Sequence, residues 1–432
     1  MNMKRKSGLL FGILILAMTF GIFALIIGPV HADSSIFIVS PSGGDDTANI
    51  QTAFNDAIAA GSGSTVQLTS GKFYTNAIIV EGFYGTFKGA SKGCTKIDVL
   101  KGLDDTLEGV VGPVGPYLFS FIGGDVCISD LIFDITPYMP AEPWEDPEVP
   151  SYDLVSIILL TGETNSRIEN NKFIGHEGTL VNPLEKSFNV RVGVEYHFGT
   201  GKHTISKCKF KSLWGGISAF GLTDIEMKIA SNSIKKGNFG IINMDNSNSK
   251  FEISQNYIET MFIYGIWAWQ IGVIAPPSPC QWYITYNTIK ASNLGEGIAL
   301  QDHVEAIEAV VSYNEVTLDH TIWGGIWTFG LQDALIYKNT IHGKGSYGIG
   351  CDFINHCLII GNHISNKEND GMYLYTSSQN LILGNYISHN GGWGLYMDDS
   401  NDNYIAGNFF YKNDLGNIFD NGNNEYGWNW EF

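Results

Sequence analysis

The feature that most constrains the fold is a short phrase, apolar-x-x-Asn-x-apolar, which recurs in the second half of the chain. Its central residues Asn339, Asn362, Asn385 and Asn408 are each 23 residues apart. A fixed period in the low twenties is typical of a solenoid. A period of this length is too short for two full helices, but it suits three short strands per coil, with successive coils stacked at roughly 4.8 Å.

The phrase extends over most of the chain. Ten copies align after Arg167, and nine of them carry Asn at the centre. The central residues are Asn171, Cys208, Asn232, Asn256, Asn287, Asn314, Asn339, Asn362, Asn385 and Asn408. We expect the apolar residues to form one continuous core. We also expect each Asn to adopt the left-handed conformation of a sharp corner and its amide to hydrogen bond to the next coil.

A second phrase, Gly followed by an apolar residue, comes eight to eleven residues after eight of the ten central residues. Its glycines are Gly216, Gly240, Gly265, Gly297, Gly325, Gly348, Gly371 and Gly394. The varying interval indicates that one corner of the coil differs in length. Side chains alternate along a strand, so the residues one and three positions after Gly should point inward, and those two and four positions after it outward.

The chain divides into five segments. Residues 33–100 contain a predicted amphipathic helix over 46–61, a suitable cap for the first coil. Residues 101–165 are less regular, with a Pro-rich side loop at 137–151. Regular coils follow over 166–418, and residues 419–432 are predicted to cover the last open coil. Residues 1–32 precede them as an export segment.

The export segment is Lys4-Arg5-Lys6 followed by an apolar run over 8–28. It is either a cleaved signal peptide or a retained membrane anchor, and in both cases the body lies outside the cytoplasm. The formal net charge is −19. Such an acidic chain argues against nucleic acid as a partner and disfavours polyanionic substrates. The six cysteines have no metal-ligand spacing, and their pairing stays open.

The helix, the Gly-turn-strand after it and the Asn-x-Ile coils resemble the right-handed parallel β-helix repeats of the pectin-lyase-like superfamily. The closest type is the exported carbohydrate-binding and sugar-hydrolysis repeat. The resemblance covers nearly all of 34–418. It implies an all-β fold: a single-stranded right-handed parallel β-helix, a three-sheet solenoid with an N-terminal capping helix. In that superfamily the substrate groove runs along the outer face of the first strand, which the Gly-apolar phrase opens.

The outward positions of these first strands hold eight aromatic residues. Aromatic rings stack on sugar rings, and large exposed apolar patches usually mark binding sites. Loops folded over the face, or two chains paired through it, would account for the same pattern. The predicted substrate-binding residues are Trp267, Trp269, Gln301, Trp327, Phe329, Tyr373, Tyr375 and Tyr396.

Carboxylates interrupt the aromatic column. Asp352 and Asp398 lie in it, two coils or about 9.6 Å apart, and Asp302, His303 and Asp399 lie at the corners beyond it. Inverting glycosidases separate their carboxyl groups by roughly 6.5–9.5 Å. These five residues are therefore the catalytic candidates. Aspartates that merely terminate strands are the alternative.

The sequence thus predicts an exported protein that binds a neutral or weakly charged polysaccharide along the outer face of its first sheet. Whether it also hydrolyses the polysaccharide through paired Asp stays open. The alternative is a non-catalytic envelope scaffold or adhesion protein with an unspecified oligomeric state. The polygalacturonase-like and mannuronan-epimerase-like motifs are absent, and no Lys or Arg in the column could serve a lyase. No cofactor or metal site is predicted. Residues 398–403 offer oxygen ligands for calcium but lack the Gly and Glu of a calcium loop, and no Cys, Met or His cluster supports copper-enzyme maturation.

Overall fold

A computed structural model describes residues 34–91, 93–100, 117–137, 156–182, 185–188, 190–272, 278–293, 295–304 and 307–432. The predicted export segment and nearly all of the Pro-rich side loop lie outside these ranges. Within them, no helix is long and apolar enough to cross a membrane.

The predicted amphipathic helix is confirmed as α1 (Thr47–Ala60). It buries Phe54 completely, with its ring centroid 5.3 Å from that of Phe83 and 5.1 Å from that of Phe87. These two phenylalanines belong to the first coils. The helix therefore covers the N-terminal end of the core with its apolar face.

The described residues otherwise form 38 strands, of which 36 join in one array. In chain order they are β1 (Ile36–Val39), β2 (Ser64–Leu68), β3 (Gly71–Thr75), β4 (Ile78–Lys88), β5 (Thr95–Val99), β6 (Tyr117–Ser129), β7 (Ile132–Asp134), β8 (Ser156–Glu169), β9 (Lys172–Ile174), β10 (Glu177–Asn182), β11 (Glu185–Phe188), β12 (Val192–Ser206), β13 (Lys209–Lys211), β14 (Gly215–Phe220), β15 (Ile225–Ala230), β16 (Ser233–Met244), β17 (Lys250–Ser254), β18 (Tyr257–Gln270), β19 (Cys280–Thr285), β20 (Thr288–Ser292), β21 (Glu296–Asp302), β22 (Ile307–Ser312), β23 (Glu315–Thr321), β24 (Ile326–Phe329), β25 (Leu335–Tyr337), β26 (Thr340–Gly345), β27 (Ile349–Asp352), β28 (Leu358–Ile360), β29 (His363–Ser365), β30 (Met372–Tyr375), β31 (Leu381–Leu383), β32 (Tyr386–Ser388), β33 (Trp393–Asp398), β34 (Tyr404–Ala406), β35 (Phe409–Tyr411), β36 (Gly416–Asp420), β37 (Glu425–Tyr426) and β38 (Trp430–Glu431).

Each coil contributes a strand to three parallel sheets. The first sheet contains the strand after each Gly-apolar phrase, the second the strand before each central Asn, and the third the strand after it. The predicted register of the first sheet is confirmed, because the residues that follow the glycines pair with one another coil by coil. They are Ile217, Ile241, Ile266, Ile298, Ile326, Ile349, Met372 and Leu395.

The core runs the length of the coils and is made of the inward positions. All the predicted inward residues of these eight first-sheet strands are completely buried. In the earlier coils, Phe133, Phe173 and Phe210 stack with ring centroids 5.1 and 4.8 Å apart. The Gly positions face this core too: a Cβ on Gly348 would lie 2.3 Å from Cγ2 of Ile364. Glycine therefore allows the chain to turn close against the core.

The side-chain amides of the central asparagines form an unbroken chain of hydrogen bonds from Asn232 to Asn429. Each Nδ2 donates to Oδ1 of the next coil at 2.9–3.2 Å. The same Nδ2 also donates to a backbone carbonyl, as Asn362 does to Ile336 at 2.9 Å. These amides are buried, and their bonding satisfies groups that would otherwise be costly to bury.

The expectation that Asn adopts the left-handed conformation is wrong. Positive φ angles occur at the preceding residue instead, for example 55° at Tyr313, 50° at Lys338 and 65° at Gly361. The reason is geometric. The Asn side chain must point inward to reach its partners, so the residue before it makes the corner.

Two shorter stacks of side chains lie at the other corners of the last coils. One runs through Cys357, Asn380, Asn403 and Asn424, and the other through Lys367, Asn390 and Asn413. All six cysteines are free thiols.

The C-terminal end of the core is closed by polar residues. Asp420, Tyr426 and Glu431 stand in register with the inward-facing Met397, Ile405 and Phe410 of the coil before. The Tyr426 hydroxyl donates to Asp420. The tail thus forms strands of its own, and charges at inward positions make its edge a poor template for further stacking.

We predict that Asn339→Ala lowers the free energy of unfolding by at least about 2 kcal/mol, because several buried groups lose their partners. The backbone N–H and Nδ2 of Asn314 both donate to Asn339 Oδ1, and Asn339 Nδ2 donates to Val311. Urea denaturation measures the change. Asn55→Ala, exposed on α1, should stay within about 0.5 kcal/mol of the parent. Equal effects of the two changes would contradict a stabilising role for the stacked amides.

Candidate functional site

The outward positions of the first sheet align in two columns. Two residues after each Gly the register runs Trp267, Ala299, Trp327, Gly350, Tyr373, Tyr396. Four residues after it the register runs Trp269, Gln301, Phe329, Asp352, Tyr375, Asp398. We call these twelve positions the aromatic face. Most of its side chains are half-buried, and Tyr375 is 38% exposed.

The upstream part of this face is a second apolar cluster outside the main core. Phe239, Ile242, Tyr264 and Ala299 are buried in it, and Trp267 and Trp327 pack against them. The Trp267 ring stacks on Tyr264 at 5.0 Å. The antiparallel hairpin β10–β11 lies next to strands β16 and β18, which supply part of this cluster. Part of the aromatic pattern therefore consists of side chains that pack on one another.

Two tryptophans of the face are held in the same way. The Trp267 indole N–H donates to Gln301 Oε1 at 2.9 Å, and that of Trp327 donates to Asp352 Oδ2 at 2.7 Å. In both pairs the acceptor stands four residues after the Gly of the next coil. The indole rings are thus fixed along the face, which reduces the entropy cost of stacking a ligand on them.

Asp352 lies at the centre of a polar network. Its Oδ1 accepts from the Tyr373 hydroxyl, and its Oδ2 from Trp327. Beside it, the Tyr347 hydroxyl donates to Glu296 Oε1 at 2.7 Å. Burial, with a contribution from the Asp352 charge, raises the pKa of the completely buried Glu296 to about 8. Glu296 is therefore mostly protonated at neutral pH, beneath the ring of Tyr347.

Downstream of this network the face opens into a cleft of about 310 Å³. Its walls include the rings of Tyr347, Tyr373, Trp393 and Tyr396, and its polar wall includes Asp370. Burial raises the pKa of Asp370 above its ordinary value. This volume is at the lower end of ligand pockets, so it suits a single small ring.

Four residues of the site were missed by sequence reasoning: Glu296, Tyr347, Asp370 and Trp393. Each stands immediately before the Gly of its coil. Strict alternation would point the side chain at that position inward. Because the chain turns at Gly, these four side chains instead lie next to the aromatic face. The aromatic Phe239 and Tyr264 at the same position were the available signal.

The remaining predicted residues are placed as follows. Asp398 lies two coils beyond Asp352, with Tyr375 in register between them, and it accepts from the Asn421 amide. Asp399 is exposed at the next corner. His303 is exposed, with its ring 4.7 Å from that of Phe329.

Asp302 lies away from the face. It is 2% exposed, and its two oxygens accept from the backbone N–H groups of Val304 and Ile307. Its carboxylate holds the turn together, and we do not include it in the site proposed below.

The strand order and register are those of a right-handed parallel β-helix. Residues 280–431 match the family model described as NosD, a periplasmic copper-binding protein. That match covers about a third of the 432 residues. A search of curated proteins gave no match.

Solved structures share the fold at low sequence identity. The surface adhesin PfbA of Streptococcus pneumoniae is 12% identical over 89% of this chain and 93% of its own, with a TM-score of 0.56. The GH87 α-1,3-glucanase catalytic unit of Streptomyces thermodiastaticus HF3-3 is 13% identical over 94% of this chain and 71% of its own, with a TM-score of 0.53. The DFA-IIIase of Arthrobacter chlorophenolicus A6 is 11% identical over 86% of this chain and 94% of its own, with a TM-score of 0.53.

The family description raises the question of copper, and the side chains do not fit it. Among the described residues no three His, Cys, Asp or Glu side chains are grouped as metal ligands. Burial raises the pKa of Cys208 and of Cys357 to about 12, which opposes the thiolate form that binds metals. The Cys357 thiol donates to the Asn355 carbonyl at 3.3 Å. We therefore derive no step through copper.

We predict a pH dependence from Glu296. Its folded pKa of about 8 exceeds the ordinary 4.5, so the folded protein keeps a proton that the unfolded chain releases. This contribution to stability is complete below about pH 4.5 and is lost as the pH rises through about 8. Glu296→Gln removes the titration and retains an acceptor for Tyr347. Denaturation at a series of pH values measures the free energy of unfolding of both proteins. As the pH rises, this free energy should increase for the variant relative to the parent, by up to about 1.4 kcal/mol per pH unit.

The exposed Glu315→Gln is the matched control and should show no such trend. A difference between Glu296→Gln and the parent that is constant with pH would contradict a buried neutral carboxyl.

Proposed function

We propose that this protein binds a polysaccharide along the aromatic face, with one sugar ring in the cleft. The observation that supports this is the cleft itself, in which Tyr347, Tyr373, Trp393 and Tyr396 surround a space for a small ring. Sugars present C–H faces to aromatic rings and hydroxyl groups to polar side chains. The upstream tryptophans continue the same surface and provide further stacking positions for a chain of sugars.

The positions of the polar groups fit a hydroxyl-rich ligand. The Asp352 and Gln301 oxygens already hold indole N–H groups, so the stacking rings are fixed before the ligand arrives. Asn369 and Ser346 lie at the rim of the cleft, and the Asn369 amide donates to the Ser346 hydroxyl at 2.8 Å. These groups can exchange this bond for bonds to sugar hydroxyls.

Hydrolysis is the second part of the proposal. Asp352 and Asp398 share a column with Tyr375 between them, so two coils separate them, or about 9.6 Å. That separation is near the upper end for an inverting pair, roughly 6.5–9.5 Å. One carboxyl would protonate the leaving oxygen, and the other would activate water.

A non-catalytic surface protein is the second candidate. The packing of the partly buried Trp267 against an apolar cluster favours it, because aromatics used for packing need no ligand. The fold is compatible with both functions, since it occurs in a glucanase and in an adhesin. Both functions fit an exported location, which we infer from the sequence of residues 1–32.

We predict that the double variant Tyr375→Ala/Tyr396→Ala loses at least tenfold in affinity for the polysaccharide, since stacking contributes about 1 kcal/mol or more per ring. A glycan array identifies a ligand, and isothermal titration measures the affinity. Tyr386→Ala is the matched control. It is 37% exposed, close to the 38% of Tyr375, but lies on the third sheet. No glycan bound by the parent, or equal losses in double variant and control, would overturn the binding proposal.

We predict that Asp352→Asn and Asp398→Asn each lower the rate of polysaccharide hydrolysis by at least about 100-fold, as expected for loss of a general acid or base. Reducing-end release from mixed neutral polysaccharides measures the rate. Asp402→Asn, an exposed corner residue with a φ of 56°, should retain the parent rate. Activity that survives both substitutions would remove hydrolysis by this pair and leave the binding face in place.

A further inference from the structure

Three carboxylates on or next to the first sheet differ in their partners from ion-paired carboxylates of the other two sheets. On the second sheet Lys250 pairs with Glu252 at 2.8 Å, and on the third Lys235 pairs with Glu259 at 2.7 Å. Among the described residues, Asp352, Asp370 and Asp398 have no Lys or Arg partner. They lie among aromatic rings instead. At these three positions the described residues therefore supply no Lys or Arg counter-charge.

The described lining of the cleft also lacks basic side chains. None of the described residues that line it is Lys, Arg or His. Burial raises the pKa of the Tyr396 hydroxyl, and the charges of Asp398 and Asp370 raise it further. A cation in the cleft would thus meet the faces of several rings and the field of two carboxylates.

Asp370 is fixed in place. Its Oδ1 accepts from the Trp393 backbone N–H at 2.6 Å. The carboxylate lies directly over Gly392, where a Cβ would be 2.3 Å from the same oxygen. The residue that follows Gly392 thus both lines the cleft with its ring and holds the carboxylate with its backbone.

We propose that the sugar seated in the cleft is an amino sugar, whose ammonium group is recognised by the aromatic rings and the Asp370 carboxylate. This inference rests on the proposed polysaccharide binding and names the class of polysaccharide. Cations are attracted to the faces of Trp and Tyr rings, and hydrogen bonds from an ammonium to a carboxylate are the stronger charge-assisted kind. A neutral sugar would stack on the aromatic rings without any attraction between charges. The carboxylate of a uronate would be repelled by Asp370 and Asp398.

The test compares two ligands with the same sugar backbone at mildly acidic pH: a glucosamine tetramer, whose amines are charged, and its fully N-acetylated counterpart, whose amides are neutral. Isothermal titration of the full chain should show at least tenfold tighter binding of the glucosamine tetramer. This preference should weaken as salt is added, because screening reduces the attraction between charges. Asp370→Asn, which keeps the shape of the side chain, should bring the two affinities to within about twofold. Asp402→Asn is the charge-matched control outside the cleft and should retain the preference.

The outcomes separate this inference from the proposed function. Equal or tighter binding of the acetylated tetramer by the parent overturns the amino-sugar inference and leaves polysaccharide binding in place. If neither tetramer nor any neutral glycan binds, the proposed function itself fails. If Asp370→Asn does not fold, the salt dependence of the parent decides: a preference for the glucosamine tetramer that is unaffected by salt counts against the inference.

Discussion

The stacked amides of the central asparagines are the interaction on which the rest of the structure depends. Each amide bonds to the next coil and to a backbone carbonyl, so it satisfies buried groups and aligns two coils at once. A slip of one residue between coils would break these bonds and turn every strand side chain to the other face. The order of residues in the outward columns, and hence the site, follows from this alignment.

With the register fixed, the aromatic face divides into two parts that use similar residues differently. Upstream, the rings stack on one another as a second apolar cluster. Downstream, Tyr347 and Trp393 stand apart enough to leave a cleft. Aromatic composition alone cannot distinguish packing from binding. The distinction depends on loops and on residues before each Gly, which the repeat leaves free to vary.

The sequence predicted what depends on period and alternation, and it failed where the chain turns. The 23-residue spacing and the Gly-apolar phrase predicted three parallel strands per coil and the pairing of Ile349 with Met372. Alternation could not predict that Tyr347 faces outward, because the turn at Gly348 interrupts it. Nor could it show that the Asp302 carboxylate binds backbone N–H groups. The corners are determined by local hydrogen bonds and close contacts. These interactions do not recur at a fixed spacing in the sequence, so a repeat pattern cannot predict them.

The cleft depends on several coils together, because its rings need space in neighbouring coils. The Tyr347 ring lies over Gly350 of its own coil and Gly324 of the coil before, where a Cβ would be 2.7 and 2.1 Å from it. Its hydroxyl reaches Glu296 one coil further back. Trp393 similarly lies over Gly416 of the next coil, 2.5 Å from where a Cβ would stand. A single repeat therefore cannot carry the site. The chemistry belongs to a block of successive coils, and the stacked amides hold that block in register.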